Sequence, residues 1–219
     1  MSPRQTFDKA LHDLQQDILR MAGLVEQAIY ESVESLMNQD VTLAAQVIMG
    51  DETIDELYLE IEAKIIKLIA TQQPMAKDLR IVVTGIKILL SLERMADHAV
   101  DIARATMCLS NRTFKVDVVD YIPQMAKLAR QMLKDGLDAY VNDDIEKAQK
   151  MCAVDDEVDY IFAKVFRELM SCMRKDPDTV TECSYLLYVS RYLERVADHA
   201  TNIGEAVVYL VTGERKELN

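Results

Sequence analysis

Glu93-Arg94-Met95-Ala96-Asp97-His98 returns as Glu194-Arg195-Val196-Ala197-Asp198-His199, at an offset of 101 residues and with only Met exchanged for Val. Five identities that include two acids, a base and a histidine are hard to obtain by chance in a chain of 219 residues. The chain reads as an internal duplication, with the same acidic element in each half. The repeat extends upstream. Asn38-Gln39-Asp40-Val41 matches Asn142-Asp143-Asp144-Ile145, and Asp51-Glu52-Thr53-Ile54-Asp55 matches Asp155-Asp156-Glu157-Val158-Asp159, both at an offset of 104. The first half thus holds three extra residues between these acids and its Glu-Arg motif, which suggests a longer connection there.

Around these segments the composition is that of a helical protein. Half of the residues are apolar, only six Gly and four Pro interrupt the chain, and strand-like alternation is rare. Turn signals fall at Asn38-Gln39-Asp40, Gln72-Gln73-Pro74, Ser110-Asn111-Arg112-Thr113, Asn142-Asp143 and Asp176-Pro177, with Asp40 placed to cap a helix. They predict helices over 5–37, 41–71, 77–108, 118–141, 144–174 and 178–212. The fold expected is all-α, two tandem antiparallel three-helix bundles over residues 1–110 and 114–219. The formal net charge of −12 disfavours nucleic acid and suits a cation or a basic partner surface. No signal-peptide core stands at the N-terminus. The most apolar stretch, Ile81 to Leu90, is broken by Lys87 and is too short to span a membrane. Cys108, Cys152, Cys172 and Cys183 form no Cys-x-x-Cys pair and read as reduced thiols of a cytosolic protein, mostly small buried side chains.

On the third helix of the first half, Ile81, Ile88, Leu92, Met95, Ala99 and Ile102 share one face, and Glu93, Asp97 and Asp101 share the opposite side. In the second half Tyr185, Val189, Tyr192, Leu193, Val196, Ala200, Ile203 and Val207 form the core stripe. Glu194 and Asp198 lie opposite it, with Asn202 where Asp101 stood. Asp51 and Asp55, like Asp155 and Asp159, are one turn apart on the second helices. Antiparallel pairing of the second and third helices would bring Asp51 and Asp55 to Glu93 and Asp97. Like charges at this spacing repel by roughly 0.2–0.5 kcal/mol per exposed pair. A single pair would be a solvated face. Four pairs at matching repeat positions leave two readings open, solvated charge or a site for hard cations such as iron, manganese, magnesium or calcium, with zinc allowed.

Arg94 and Arg195 read as internal partners of the nearby acids. His98 and His199 point away from the acid row and read as exposed or hydrogen-bonded side chains rather than ligands. No phosphate-cradling glycine loop and no Gly-x-Ser-x-Gly elbow is present, and the Glu and His of the repeated motif are five apart, not the Glu-x-x-His of a di-iron oxidase. No enzyme is expected; a metal-storage or metal-dependent phosphate-handling enzyme on the same carboxylates is the alternative. Val82, Val83, Ile86, Leu89 and Leu90 lie on the acid side of the third helix, where the second half has Cys183, Ser184, Leu187, Ser190 and Arg191. That row is either buried against the other bundle or forms a partner or homodimer surface, for which Val82, Val83, Ile86 and Leu90 are the candidates.

Leu92-Glu93-Arg94-Met95-Ala96-Asp97-His98, the stretch Tyr192 to Ile203, Pro74-Met75-Ala76-Lys77-Asp78-Leu79-Arg80 and the terminal Val211-Thr212-Gly213-Glu214 together resemble the signature of the PhoU family. The resemblance covers nearly the whole chain. It implies two three-helix bundles and Glu/Asp-x-x-x-Asp motifs that hold multinuclear iron or zinc clusters on the surface. Carried over, these positions are Asp51, Asp55, Glu93 and Asp97, then Asp155, Asp159, Glu194 and Asp198, with Asp101 added. It also implies a cytoplasmic accessory protein that restrains a high-affinity phosphate ABC transporter and keeps the phosphate-starvation response off. The implied partners are the transporter's ATPase subunit and a membrane sensor histidine kinase, so that the protein meets the membrane only through partners. Asp78-Leu79-Arg80 has no clean counterpart near Asp178, and Asn202 replaces the acid of Asp101, so the two sites need not be equal.

Overall fold

The repeated Asn-x-Asp segments do the same work in both halves. After Asn38 the backbone turns left-handed at Gln39 (φ 53°), and the Asp40 carboxylate then accepts hydrogen bonds from the Thr42 and Leu43 amides at 2.9 and 3.0 Å. After Asn142, Asp143 turns left-handed (φ 52°) and Asp144 accepts from the Lys147 amide at 3.0 Å. The structure, a computed structural model, describes residues 3–110 and 117–218. Seven α-helices run through the described residues: α1 Pro3–Asn38, α2 Val41–Gln72, α3 Lys77–Leu109, α4 Tyr121–Asn142, α5 Ile145–Cys152, α6 Asp155–Lys175 and α7 Val180–Thr212. Short 3-10 turns precede α4 and α7, and no strand forms among the described residues. Of the expected break at Ser110-Asn111-Arg112-Thr113, Ser110 follows α3, and 111–113, like the boundary between 110 and 114, lie outside the described residues.

Two expectations are corrected. The helix expected over 144–174 is two helices, α5 and α6. No Gly or Pro marks the break. The Val154 amide bonds to the Met151 carbonyl and the Glu157 amide to the Val154 carbonyl, both at 3.0 Å, so the chain tightens by one residue per bond and restarts. Asp155, Asp156 and Glu157 in the first turn of α6 complement its dipole and favour that restart. The matching Gly50-Asp51 lies inside an unbroken α2. The second correction concerns the extra residues of the first half. The connections Gln73 to Ala76 and Asp176 to Thr179 are equally long, so the surplus lengthens α2 and α3 instead.

The apolar stripes meet in one main core shared by both halves. Ile88, Leu92, Met95, Ala99 and Ile102 of α3, and Val189, Leu193, Val196, Ala200, Ile203 and Val207 of α7, are fully buried in it. α3 and α7 run antiparallel at the centre. Arg80 Nε donates to the Leu210 carbonyl at 3.3 Å, and Thr84 Oγ1 to the Ala206 carbonyl at 3.4 Å. α1 also crosses to the second half, where Arg130 Nε donates to Glu26 at 2.9 Å and the guanidinium lies 4.6 Å over the Tyr30 ring.

Candidate functional site

α2 packs antiparallel on α3, and this register gathers the first-half acids. Asp51 has its carboxyl held above the usual range by burial first, then by Asp55 and Asp97, with Arg104 opposing and Asp101 adding. Burial also raises Glu93, helped by Asp97, Asp55 and Asp51 and opposed by Arg94. Asp51 thus lies within reach of the charges of Asp55, Asp97 and Asp101, and Glu93 of those of Asp97, Asp55 and Asp51. Arginines stand among them: Arg94 Nη1 is 3.1 Å from Asp97, its Nε 3.3 Å from Glu93, and Arg104 3.2 Å from Asp101. The Glu93 Oε2 atom is buried, with the Arg94 Nε ion pair but no hydrogen bond.

The second half repeats the arrangement with deeper burial. Glu194 is 8% exposed, and burial and then Asp198 push its carboxyl up to about 7 against the pull of Arg191 and Arg195. Asp159 is raised by burial, Asp198 and Asp156. Arg191 pairs with Glu194, and Arg195 with Asp198 at 3.1 Å. Asp155, the first residue of α6, is buried beside Cys152, whose thiol is pushed up to about 12 by burial, Glu205 and Asp155. Asn202 is exposed. Glu194 is thus not on an open face, as its place opposite the core stripe suggested, and Asp155, at the margin of its own stripe, is buried as well.

These oxygens suit a hard cation: they are partly desolvated and they repel one another. Among the described residues, no three His, Cys, Asp or Glu side chains are already drawn together around a single point. The arginines occupy that role, so a cation would displace guanidinium groups as it entered.

The candidate apolar row divides. Val82 is fully buried and Leu89 nearly so, because they face the core, and Val82 cannot lend its side chain to a surface. Val83 is half-buried, while Ile86 and Leu90 are 42% and 48% exposed. The histidines also differ from expectation. The rings of His98 and His199 meet with centroids 5.9 Å apart, and His98 stacks on Tyr192 at 5.7 Å. Burial lowers the basicity of both, His199 to about 4 with His98 as the next cause. Nδ1 of His98 is buried without a hydrogen-bond partner. The signal for this pairing was in the repeat: when equivalent helices cross antiparallel, equivalent residues meet at the crossing.

Of the four cysteines, Cys152 and Cys183 are buried, Cys172 half-buried and Cys108 exposed, all as free thiols. No described helix is long and apolar enough to cross a membrane.

Comparison with known proteins adds the following. The model of the PhoU domain matches residues 18–106 and 122–207, one match per half. The chain is 42% identical over 217 residues to a "Phosphate-specific transport system accessory protein PhoU homolog" of Clostridium acetobutylicum, covering 99% of each. It is 39% identical over 210 residues to a protein of the same description from Caulobacter vibrioides, covering 96% of this chain and 91% of the relative. Among solved structures, PhoU from Pseudomonas aeruginosa superposes with a TM-score of 0.91 at 31% identity, covering 95% of this chain and 100% of that one. The phosphate transport system regulatory protein PhoU from Streptococcus pneumoniae superposes at 0.89 and 31%, covering 96% and 99%.

Proposed function

The chain belongs to the PhoU family, and from that premise we propose that it is a regulatory accessory protein of a phosphate-specific transport system, acting through protein contacts rather than catalysis. The observation that carries this is full-length correspondence: both halves match, and relatives described as accessory proteins align over nearly their whole length. The finer reading is that the protein works in the cytoplasm. There it restrains the transporter through its ATPase subunit and, through a membrane sensor histidine kinase, keeps the starvation response off when phosphate is plentiful. Ile86 and Leu90, the exposed remainder of the apolar row, are the candidate contact with a partner or with a second copy in a homodimer.

Iron or zinc, with manganese or magnesium as alternatives, would be held by Asp51, Asp55, Glu93, Asp97 and Asp101 in one half. In the other half Asp155, Asp159, Glu194 and Asp198 would hold it. A bound cation would supply the positive charge that turns their repulsion into cross-linking of α2 to α3 and of α6 to α7.

Deletion of the gene should leave phosphate uptake unrestrained and the starvation response on in phosphate-rich medium; normal control in the deletion strain would remove the regulatory reading. Metal analysis of anaerobically purified protein should show more than one ion per chain. Asp97→Ala with Asp198→Ala should remove most of it while the helical circular dichroism stays unchanged. Unchanged metal content would leave these acids as solvated charge. Turnover of a phosphate ester by metal-loaded protein would instead favour an enzyme.

A further inference from the structure

Along the seam of α3 and α7 lies an open groove of about 650 Å³. Its cationic lining is Lys87 and Arg94 from α3 and Arg195 from α7. Ser91, Asn202 and the facing histidines add neutral polar groups, and one of these is the unpartnered buried Nδ1 of His98. At Lys87 and Glu205 the groove passes into a second depression of about 420 Å³, walled by Tyr209 and the C-terminal Arg215 and Lys216. The tail is tied down there, since the Leu218 amide donates to Glu205 at 3.0 Å, which also occupies one oxygen of an acid in the groove.

The charge of this seam runs against that of the molecule. Acids outnumber bases 37 to 25 over the whole chain. Yet Lys87, Arg94, Arg195, Arg215 and Lys216 line the joined depressions beside Glu205 and Glu217, and Lys216 also lies 3.8 Å from Glu214. Arg94 and Arg195 each turn Nε and Nη1 toward carboxylates of their own helix. Nη2 of each takes part in neither of those ion pairs and keeps its N–H groups as donors for an oxyanion. Lys87 sits at the junction, its Nζ 5.1 Å from the centroid of the Tyr209 ring.

We propose that the α3–α7 seam binds a multiply charged phosphate chain, either an inorganic oligophosphate or the phosphates of a nucleotide. The volume lies within the ~300–1,000 Å³ of small-molecule sites, and cations spaced along a groove match a chain of phosphoryl groups better than a single ion. An acidic peptide is the less favoured occupant, because a groove with Leu90 as its exposed apolar wall offers no row of backbone-pairing groups. The groove shares Arg94 and Arg195 with the carboxylate faces, so the groove variants below change only Lys87, Arg215 and Lys216, none of which pairs with those acids.

The test is isothermal titration of the full-length chain in metal-free buffer with sodium tripolyphosphate, ATP, inorganic phosphate and a short poly-glutamate peptide. Tripolyphosphate should bind saturably and more tightly than inorganic phosphate. A preference for ATP over tripolyphosphate would identify the nucleotide as the source. Lys87→Glu with Lys216→Glu should weaken binding by about tenfold or more. Lys127→Glu with Lys150→Glu, which changes net charge equally on exposed helical positions, should change it by less than about threefold. If the Lys87 variant fails to fold by circular dichroism, Arg215→Glu with Lys216→Glu in the exposed tail replaces it with the same expectation. Absence of saturable binding, equal losses in groove and control variants, or equal affinity for the peptide would each overturn the proposal.

Discussion

Glu194 and His199 lie on α7 and are displaced in opposite senses by the same cause, burial. Glu194 rises from 4.5 to about 7, so between those values the folded chain keeps a proton that the unfolded chain has lost. Its stabilising contribution is present below pH 4.5 and disappears as the pH climbs to 7. His199 falls from 6.5 to about 4, so its contribution is present above pH 6.5 and disappears as the pH drops to 4. The two oppose each other where the windows overlap, and single variants separate them. The urea midpoint of Glu194→Gln should gain on the wild type as pH rises from 4.5 to 7, and that of His199→Asn as pH falls from 6.5 to 4. No pH-dependent difference for either would mean that the side chain is solvated, and a reversed sign that the fold favours its charged form. The positions of these acids were readable from the repeat; their inequality was not. Glu93 and Glu194 occupy the same motif position, but Arg191 pairs with Glu194 while its own guanidinium rests 5.6 Å from the centroid of the Phe162 ring. At the position equivalent to Arg191 the first half has Leu90, which gives Glu93 no such cover.

Among the elements, α5 packs closest to α7 at Gly204. A Cβ there would stand 2.6 Å from Cys152 Sγ and 2.8 Å from Met151 Cε, with the Ala148 carbonyl oxygen at 3.3 Å. Gly204→Ala should therefore destabilise the fold by about 1–3 kcal/mol through overpacking. Gly23→Ala, on the exposed side of α1 with nothing within 4 Å, should stabilise it by roughly 0.5–1 kcal/mol. Urea unfolding reads both, and a stabilised Gly204→Ala would show that α5 can withdraw freely. On α3 the same logic divides the apolar row. Val82→Glu would bury a charge and should abolish folding, whereas Leu90→Glu should fold normally by circular dichroism. Six helices were expected and seven are present among the described residues; the starts of α2 and α5 followed from the Asn-x-Asp caps, which act locally. The break between α5 and α6 did not, because no residue near Val154 forbids a helix. Packing of α5 against α7 and the acidic first turn of α6 decide it together, and periodicity carries neither. Of the two readings open for the apolar row, burial holds for Val82 and Leu89, because a helix between two bundles is covered on more than one side.

For the whole molecule, the shared core and the α1–α4 contacts make the halves one body. Relaxation of backbone amides in the two halves should give the same rotational correlation time, and independent tumbling would contradict the continuous core. Tandem organisation was legible because the repeat is long and its acids are unusual. The antiparallel crossing of α3 and α7 was not, since it depends on contacts between residues far apart in sequence. That crossing, where His98 faces His199, has one more consequence. In a homodimer built from one half, every change would strike both copies at once, and the two faces of the seam would stay identical. On a single chain each copy changes alone. Asn202 can replace the acid of Asp101, and Arg191 can stand where Leu90 stands, without a matching loss across the axis. Joining the halves thus preserves the geometry of a symmetric pair and frees its two sides to diverge in what they hold.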